Sequence, residues 1–221
     1  TKTPPYEQLE PRFHASILYN GAEWKGRTIE SYVGGADGWC QWNIEREPKG
    51  RSTTGYYLRK MVDEGHNVIT ESGSVQPLTI IRYGEVLLNK AEACFELGET
   101  AEANAAVKAV RARVDLPYTD KSGSELWNAI RQERKVELAY EGLWYWDLRR
   151  WGVAHKQYPE GLSGYQLHGL KIEKGEDGTF TYNYVSVDDK DRNFLEKMYR
   201  FPLPTSELTS NSLVNQFPEW N

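Results

Sequence analysis

A mainly α-helical scaffold with long loops and a small β-hairpin is the fold class this sequence predicts. Three observations lead there. Apolar residues recur at helical spacing between about residues 80 and 151. Residues 1–75 are rich in Gly, Tyr and Trp and show little periodicity. Alternating aromatics, Phe180, Tyr182 and Tyr184, follow the turn Gly175-Glu176-Asp177-Gly178. The 221 residues suit one domain or one domain plus an extension, and the single domain is the reading taken. Within it, residues 1–75 form a loop-rich face, 76–152 a helical core, and 153–221 a β-hairpin with a C-terminal strap.

In the first region, Gly34-Gly35-Ala36-Asp37-Gly38 is loop chemistry, because glycine reaches backbone angles closed to other residues. Thr54 to Lys60 reads as a short strand. Ordered loops of this length are usually functional. In the first long helix Arg82, Glu85, Asn89, Glu92 and Glu96 fall on one polar stripe, and Tyr83, Leu87, Ala91 and Cys94 on another side. Gly98 supplies the stop and Thr100 the next N-cap. The second helix, Ala101 to about Val114, buries Ala103, Ala106, Val107, Val110 and Val114. Its alanines let a partner helix come close, giving an αα-hairpin. Leu97-Gly98 followed by Ala103 resembles the tetratricopeptide consensus. One such unit cannot bury its apolar face alone, which predicts neighbours outside this chain.

A third helix is expected from about Ser124 to Glu141, with capping-box spacing between Ser122 and Glu125. Gly142 breaks it, and Leu143 to Trp151 form a shorter helix. Leu170 to Lys174 and Thr179 to Val187 pair as the hairpin. Pro202, Pro204 and Pro218 make the tail an extended strap.

Composition excludes several classes. Charged residues make up 27% and hydrophobic ones 39%, as in a folded globular protein. The net charge is −5 and no Lys/Arg-rich run occurs, which argues against a nucleic-acid partner. Cys40 and Cys94 are the only cysteines, so there is no disulfide framework or CxxC metal motif, although a single bond between them stays open. No apolar run approaches the ~20 residues that span a bilayer. The chain opens at Thr1 without a signal-peptide pattern and reads as a mature form or a piece of a longer protein.

The third helix carries the sharpest chemistry. Leu126, Ile130, Glu133, Glu137 and Tyr140 share a face, so two carboxylates lie among apolar residues. Charge there is costly unless paired. Arg111, Arg113, Arg134, Arg149 and Arg150 are the nearby cations, and a guanidinium fork suits a carboxylate. A catalytic reading exists: residues one turn apart have Cβ atoms about 6 Å apart, and glycosidases use paired carboxylates. The density of arginines favours a structural ion-pair network of Arg111, Arg113, Glu133, Arg134, Glu137, Asp147 and Arg149. Elsewhere His14, His66, His155 and His168 show no ligand spacing, so no metal and no cofactor is expected, and Walker, GxGxxG and GxSxG motifs are absent. Asp188-Asp189-Lys190-Asp191 reads as a solvated turn rather than a calcium loop.

Of the tryptophans, Trp127, Trp144, Trp146 and Trp151 are expected in the core. Trp24, Trp39 and Trp42 lie on the loops, where large aromatics form recognition surface. An indole stacks on the C–H face of a sugar, and Asp37 is placed to bond its hydroxyls. The competing reading is that these residues staple the loops to the helices.

Read together, the chain resembles the C-terminal half of the SusD/RagB family. The resemblance rests on Pro11-Arg12-Phe13 with Leu18-Tyr19-Asn20-Gly21, Gly55 to Lys60, Ile81 to Ala93, Val110 to Arg113, Glu133 to Gly152, and Phe201-Pro202-Leu203-Pro204 with Glu207. It implies a SusD-like, tetratricopeptide-related helical scaffold. It also implies a non-catalytic, cell-surface lipoprotein of the bacterial outer membrane that captures glycans, or in some cases peptides, and passes them to a SusC-like TonB-dependent transporter. The membrane anchor and the N-terminal half are expected to be absent from this chain. Ligand residues do not transfer by position, so Trp24, Asp37, Trp39 and Trp42 rest on the aromatic-loop argument. A peptide-binding or transporter-docking subunit and a glycosidase using Glu133 and Glu137 remain the alternatives.

Overall fold

The structure, a computed structural model, describes residues 4–38, 52–67 and 69–220. They form two compact units. One comprises residues up to 144 with 168–188, and the other 145–167 with 189–221.

The larger unit begins with α1 (Pro11–Ser16), where Pro11 occupies the first turn and its fixed φ suits a helix start. β1 (Ile17–Leu18) follows directly. β2 (Glu23–Trp24) and β3 (Arg27–Thr28) form a tight hairpin. Its two central residues, Lys25 and Gly26, have φ of +49° and +76°, the turn whose twist matches paired strands. The expected strand from Thr54 is shorter than predicted: only β4 (Tyr57–Leu58) pairs, antiparallel to β1. Leu18, Ala22 and Ile29 form a small core here, with Tyr19, Trp24 and Tyr57 packed on it.

The helical part contains α2 (Tyr83–Glu96), α3 (Thr100–Ala112) and α4 (Gly123–Glu137). α2 and α3 make the expected αα-hairpin. Gly98 adopts φ +77°. Glu99 N–H reaches Cys94 O at 2.8 Å and Gly98 N–H reaches Phe95 O at 3.0 Å, closing the helix with a two-bond glycine cap. Ala91, Cys94, Ala103, Ala106 and Val107 pack against Leu126 and Ile130, the alanines permitting close approach. Leu88, Val110 and Leu138 form a second cluster with Leu87 and Leu143. Four local expectations change. Tyr83 is 74% exposed, and Leu88 is buried in its place. Ser122 is the N-cap residue of α4, yet its side chain makes no capping bond. Thr100 is the first residue of α3 rather than its cap. Arg82, assigned to a wet stripe, lies partly buried before the first turn of α2.

β5 (His168–Lys174) and β6 (Phe180–Ser186) pair over seven positions, from His168 opposite Ser186 to Lys174 opposite Phe180, as the alternation predicted. Two loops dock on this hairpin. Val33 N–H bonds Ile172 O at 2.8 Å, and Leu170 N–H bonds Thr54 O at 2.9 Å.

The smaller unit starts within α5 (Trp144–Arg150) and includes α6 (Thr205–Ser210). Leu148, Ala154 and Phe194 are buried in it. Gln216 bonds Leu203 through both its amide oxygen and nitrogen, and Trp220 Nε1 donates to Arg200 O at 2.8 Å, which fastens the C-terminal strap. Trp146, expected in the core, is 52% exposed.

Candidate functional site

The 3.6-residue period of α4 brings Glu133 and Glu137 to one buried face, where each is almost fully shielded from solvent. Arg12 Nη1 donates to Glu133 Oε1 at 2.6 Å and to Glu137 Oε2 at 3.0 Å. Arg111 Nη1 takes Glu133 Oε2 at 2.9 Å. Arg82 Nη1 takes Glu137 Oε1 at 2.6 Å, and Arg113 Nη2 reaches both oxygens of Glu137 at 2.8 and 2.9 Å. Glu141, just past the end of α4, receives Arg82 Nε at 2.8 Å and Lys60 Nζ at 2.6 Å. The same cations close the helix end. Lys60 donates to Glu137 O and Ala139 O, each at 2.9 Å, and Arg82 Nη2 to Glu137 O at 2.6 Å, satisfying carbonyls that have no intrahelical partner.

A cavity of about 310 Å³ opens beside this cluster, lined by Pro11, Arg12, Lys60, Arg82, Arg113 and Glu137. Its one carboxylate carries guanidinium groups on both oxygens. Burial by itself pushes the Glu137 carboxyl upward, but its bonds to Arg82 and Arg12 outweigh that and hold it below the ordinary carboxylate range. Glu141 is lowered in the same way, with burial opposed by Arg82 and Lys60. A glycosidase acid must keep its proton near neutral pH, which requires a raised pKa. Glu137 is tuned in the opposite direction.

Arg12, Lys60, Arg82 and Glu141 join members of the predicted network. Arg111, Arg113, Glu133 and Glu137 belong to it. Arg134 is buried and donates to Asn89 Oδ1 at 2.7 Å. Asp147 lies in the smaller unit, where Arg150 bonds it at 2.9 Å. Arg149 is also there and is not tied to a carboxylate among the described contacts. It donates to Met198 O at 2.6 Å and Tyr199 O at 2.8 Å, and its guanidinium sits 4.6 Å from the Phe201 ring centre. Aromatic rings and carbonyl oxygens both suit a planar guanidinium, which stacks by its face and donates from its edge. Sequence reasoning missed Arg12, Lys60 and Arg82, which lie 121, 77 and 55 residues from their partners on or near α4. It also missed Glu141, which lies past the end of α4, beyond the left-handed Tyr140.

The loop face is the second candidate. Trp24 is half-buried, packed on the Leu18–Ala22–Ile29 core, with Lys25 Nζ 5.7 Å from its ring centre. Asp37, expected to bond sugar hydroxyls, is engaged otherwise. Arg27 grips it with two bonds of 2.6 and 2.7 Å, and Glu30 N–H adds a third at 2.9 Å. The Arg27 guanidinium holds this carboxyl below its usual range. Tyr57 Oη donates to the Asp37 backbone carbonyl at 2.7 Å. Asp37 therefore anchors its loop, since a planar fork is the strongest partner available to it. Trp39 and Trp42 lie outside the described residues. A second, larger cavity of about 570 Å³ adjoins Trp24, its other walls supplied by residues 61–66 and 74–79.

Among the described residues no group of three or more His, Cys, Asp and Glu side chains is arranged to hold a metal ion. No helix among them is long and apolar enough to cross a membrane.

Comparison with known proteins adds an independent line. The sequence profile of the SusD family matches residues 1–220. A SusD-like protein of Formosa agariphila is 36% identical over 98 residues, covering 38% of this chain and 19% of that protein. The crystal structure of a SusD-like protein from Bacteroides fragilis superposes with a TM-score of 0.74 at 29% identity, over 96% of this chain and 39% of that one. A SusD-like carbohydrate-binding protein, also from Bacteroides fragilis, gives a TM-score of 0.64 at 29% identity, over 92% of this chain and 41% of that one. The chain thus spans about two-fifths of the length of these solved structures.

Proposed function

The chain belongs to the SusD family, and from that premise we propose that it captures polysaccharide or oligosaccharide at the cell surface without catalysing a reaction on it. In the full-length protein this module sits on the extracellular face of the outer membrane, held by a lipid anchor, and hands its ligand to a SusC-like TonB-dependent transporter. The observation that carries the glycan reading is the half-exposed Trp24 indole at the margin of a 570 Å³ cavity on the loop-rich face. Trp39 and Trp42 follow in the same loop-rich stretch of the sequence, and the Arg27–Asp37 fork fixes the segment that precedes them. The pairing of Glu133 and Glu137 with arginine supports the absence of catalysis. One solved relative is itself described as carbohydrate-binding. Binding through a few stacked rings has an affinity around micromolar to millimolar.

The test is calorimetry of the intact chain against a glycan panel, with Trp39→Ala and Trp42→Ala. Weakened binding in either variant supports the reading, and a panel with no binder rejects it.

A second reading is favoured by one feature. Val75, Leu78, Ile80, Ile81 and Tyr83 form an exposed apolar run, with Val75 97% and Tyr83 74% accessible. Such a surface fits docking against another protein, as in a transporter-docking or peptide-binding subunit. A chain that binds a peptide or a transporter and no sugar would establish it.

A further inference from the structure

The buried network around α4 carries more positive charge than its acids cancel. Among the described residues, Arg12, Lys60, Arg82, Arg111 and Arg113 pair with Glu10, Glu133, Glu137 and Glu141 and with no other acid, so five cations share four carboxylates. The hydrogen bonds show where the excess sits. All three Lys60 donors are taken, by Glu137 O, Ala139 O and Glu141 Oε1. Arg82 donates from each of its nitrogens. Arg113 donates from Nη2 alone, to Glu137, so its Nε–H and Nη1–H groups have no acceptor among the described residues. Its side chain is also the most exposed of the five. Arg12 Nε is buried without an acceptor, so the protein does not relieve the excess from within.

The 310 Å³ cavity brings these features together. Arg12, Lys60, Arg82 and Arg113 line it. Glu137, the one acid on its wall, already accepts from guanidinium groups at both oxygens. Apart from Ser16 the remaining wall is apolar, formed by Pro11, Ala15, Met61, Val114 and Val136. A concavity with cations and low-dielectric walls focuses its field and collects anions. Its volume is at the small end of the ~300–1,000 Å³ range of small-molecule sites. From this we infer that the cavity beside Arg113 binds a small monocarboxylate with a short apolar body. The carboxylate takes the free Arg113 N–H groups, which suit its planar geometry, and the carbon chain lies against Met61, Val114 and Val136. A dianion would bring a second charge for which no unpaired cation remains, and a sugar acid would press hydroxyls against the apolar wall. The inference stands without the glycan reading.

The experiment is titration of the intact, isotopically labelled chain at constant ionic strength and a pH where carboxylates are ionised. It is read at the Arg113 Nε–Hε resonance and by calorimetry. The probes are butyrate, N-acetylleucine, glucuronate and, as a control for screening, chloride. Butyrate or N-acetylleucine should shift the resonance saturably with a dissociation constant around millimolar, tighter than glucuronate, and chloride should give no saturable shift. The tighter of the two apolar probes tells whether a free acid or a peptide C-terminus is the source. Arg113→Gln should weaken calorimetric binding about tenfold. Met61→Glu, at a second exposed position, places a competing carboxylate on the wall and should abolish it, so the test does not hang on one variant. Absence of carboxylate binding, or an equal response to chloride, overturns the site. Binding unchanged in Arg113→Gln or in Met61→Glu overturns its location. Tighter binding of glucuronate overturns the apolar body and gives the cavity to an acidic sugar.

Discussion

Replacing Glu137 with alanine removes the acid that three guanidinium groups share. The partners do not count equally. The Arg113 side chain is 57% exposed, so its contact is screened by water and contributes little. Arg12 and Arg82 are shielded, at 8% and 24%. Losing one member of a buried pair costs about 3–5 kcal/mol, most of it from the charge left behind. Arg12 retains Glu133 and Glu10, and Arg82 retains Glu141, so neither cation is stranded. The expected loss for Glu137→Ala is therefore near the lower limit, about 3 kcal/mol. Urea unfolding should show it as a midpoint shift of roughly 1–2 M. Glu137→Gln keeps the volume and part of the bonding and should lose about half as much. A shift corresponding to less than about 1 kcal/mol would refute the claim that this network holds the frame together. So would an unchanged melting temperature accompanied by loss of a measured glycoside hydrolysis.

Three further outcomes are expected. Gly84 lies in the first turn of α2, where alanine would ordinarily gain up to about 1 kcal/mol from propensity. Here a Cβ would stand 2.5 Å from Arg82 Nη1 and 3.1 Å from Glu137 Oε1, so Gly84→Ala should instead lower stability by about 1–2 kcal/mol, and a raised melting temperature would show the network to be slack. Gly55 has φ +80° and a Cβ there would meet Leu170 O at 2.5 Å, so Gly55→Ala should lose about 2–3 kcal/mol on chemical denaturation; wild-type stability would mean that the loop can leave the hairpin at little cost. Glu137 and Glu141 have folded pKa values below their unfolded ones, so their contribution is complete above the unfolded carboxylate value of about 4.3 and is lost as pH falls through the folded values. Melting temperature should thus drop on acidification below about pH 4, and less steeply in Glu137→Gln; parallel curves would contradict this.

Much of the scaffold was legible because its signals are local. Gly98 both ends α2 and accepts the left-handed φ that the cap requires. The alternation of Phe180, Tyr182 and Tyr184 gave β6, and the glycine-bounded turn gave its pairing with β5 as a hairpin. Placing Glu133 and Glu137 on the face of Leu126 and Ile130 needed only the helical period, and the cost of burying charge then required cations. The identity of those cations was not legible in the same way. Arg111 and Arg113 are close in sequence and were found. Arg149 was equally close but faces rings and carbonyls in the other unit. On the loop face, Asp37 could not be known to be committed to Arg27 until the hairpin placed them together.

The sequence by itself determined that this is a mainly helical family member whose α4 carries acids that must be neutralised, since periodicity and desolvation act within one turn of helix. The tertiary structure decided which cations neutralise them, and it brought residues 61–66 and 74–79 beside Trp24 to form a cavity. Both outcomes depend on groups far apart along the chain, and a pattern with a period of a few residues holds no information about contacts that only packing creates.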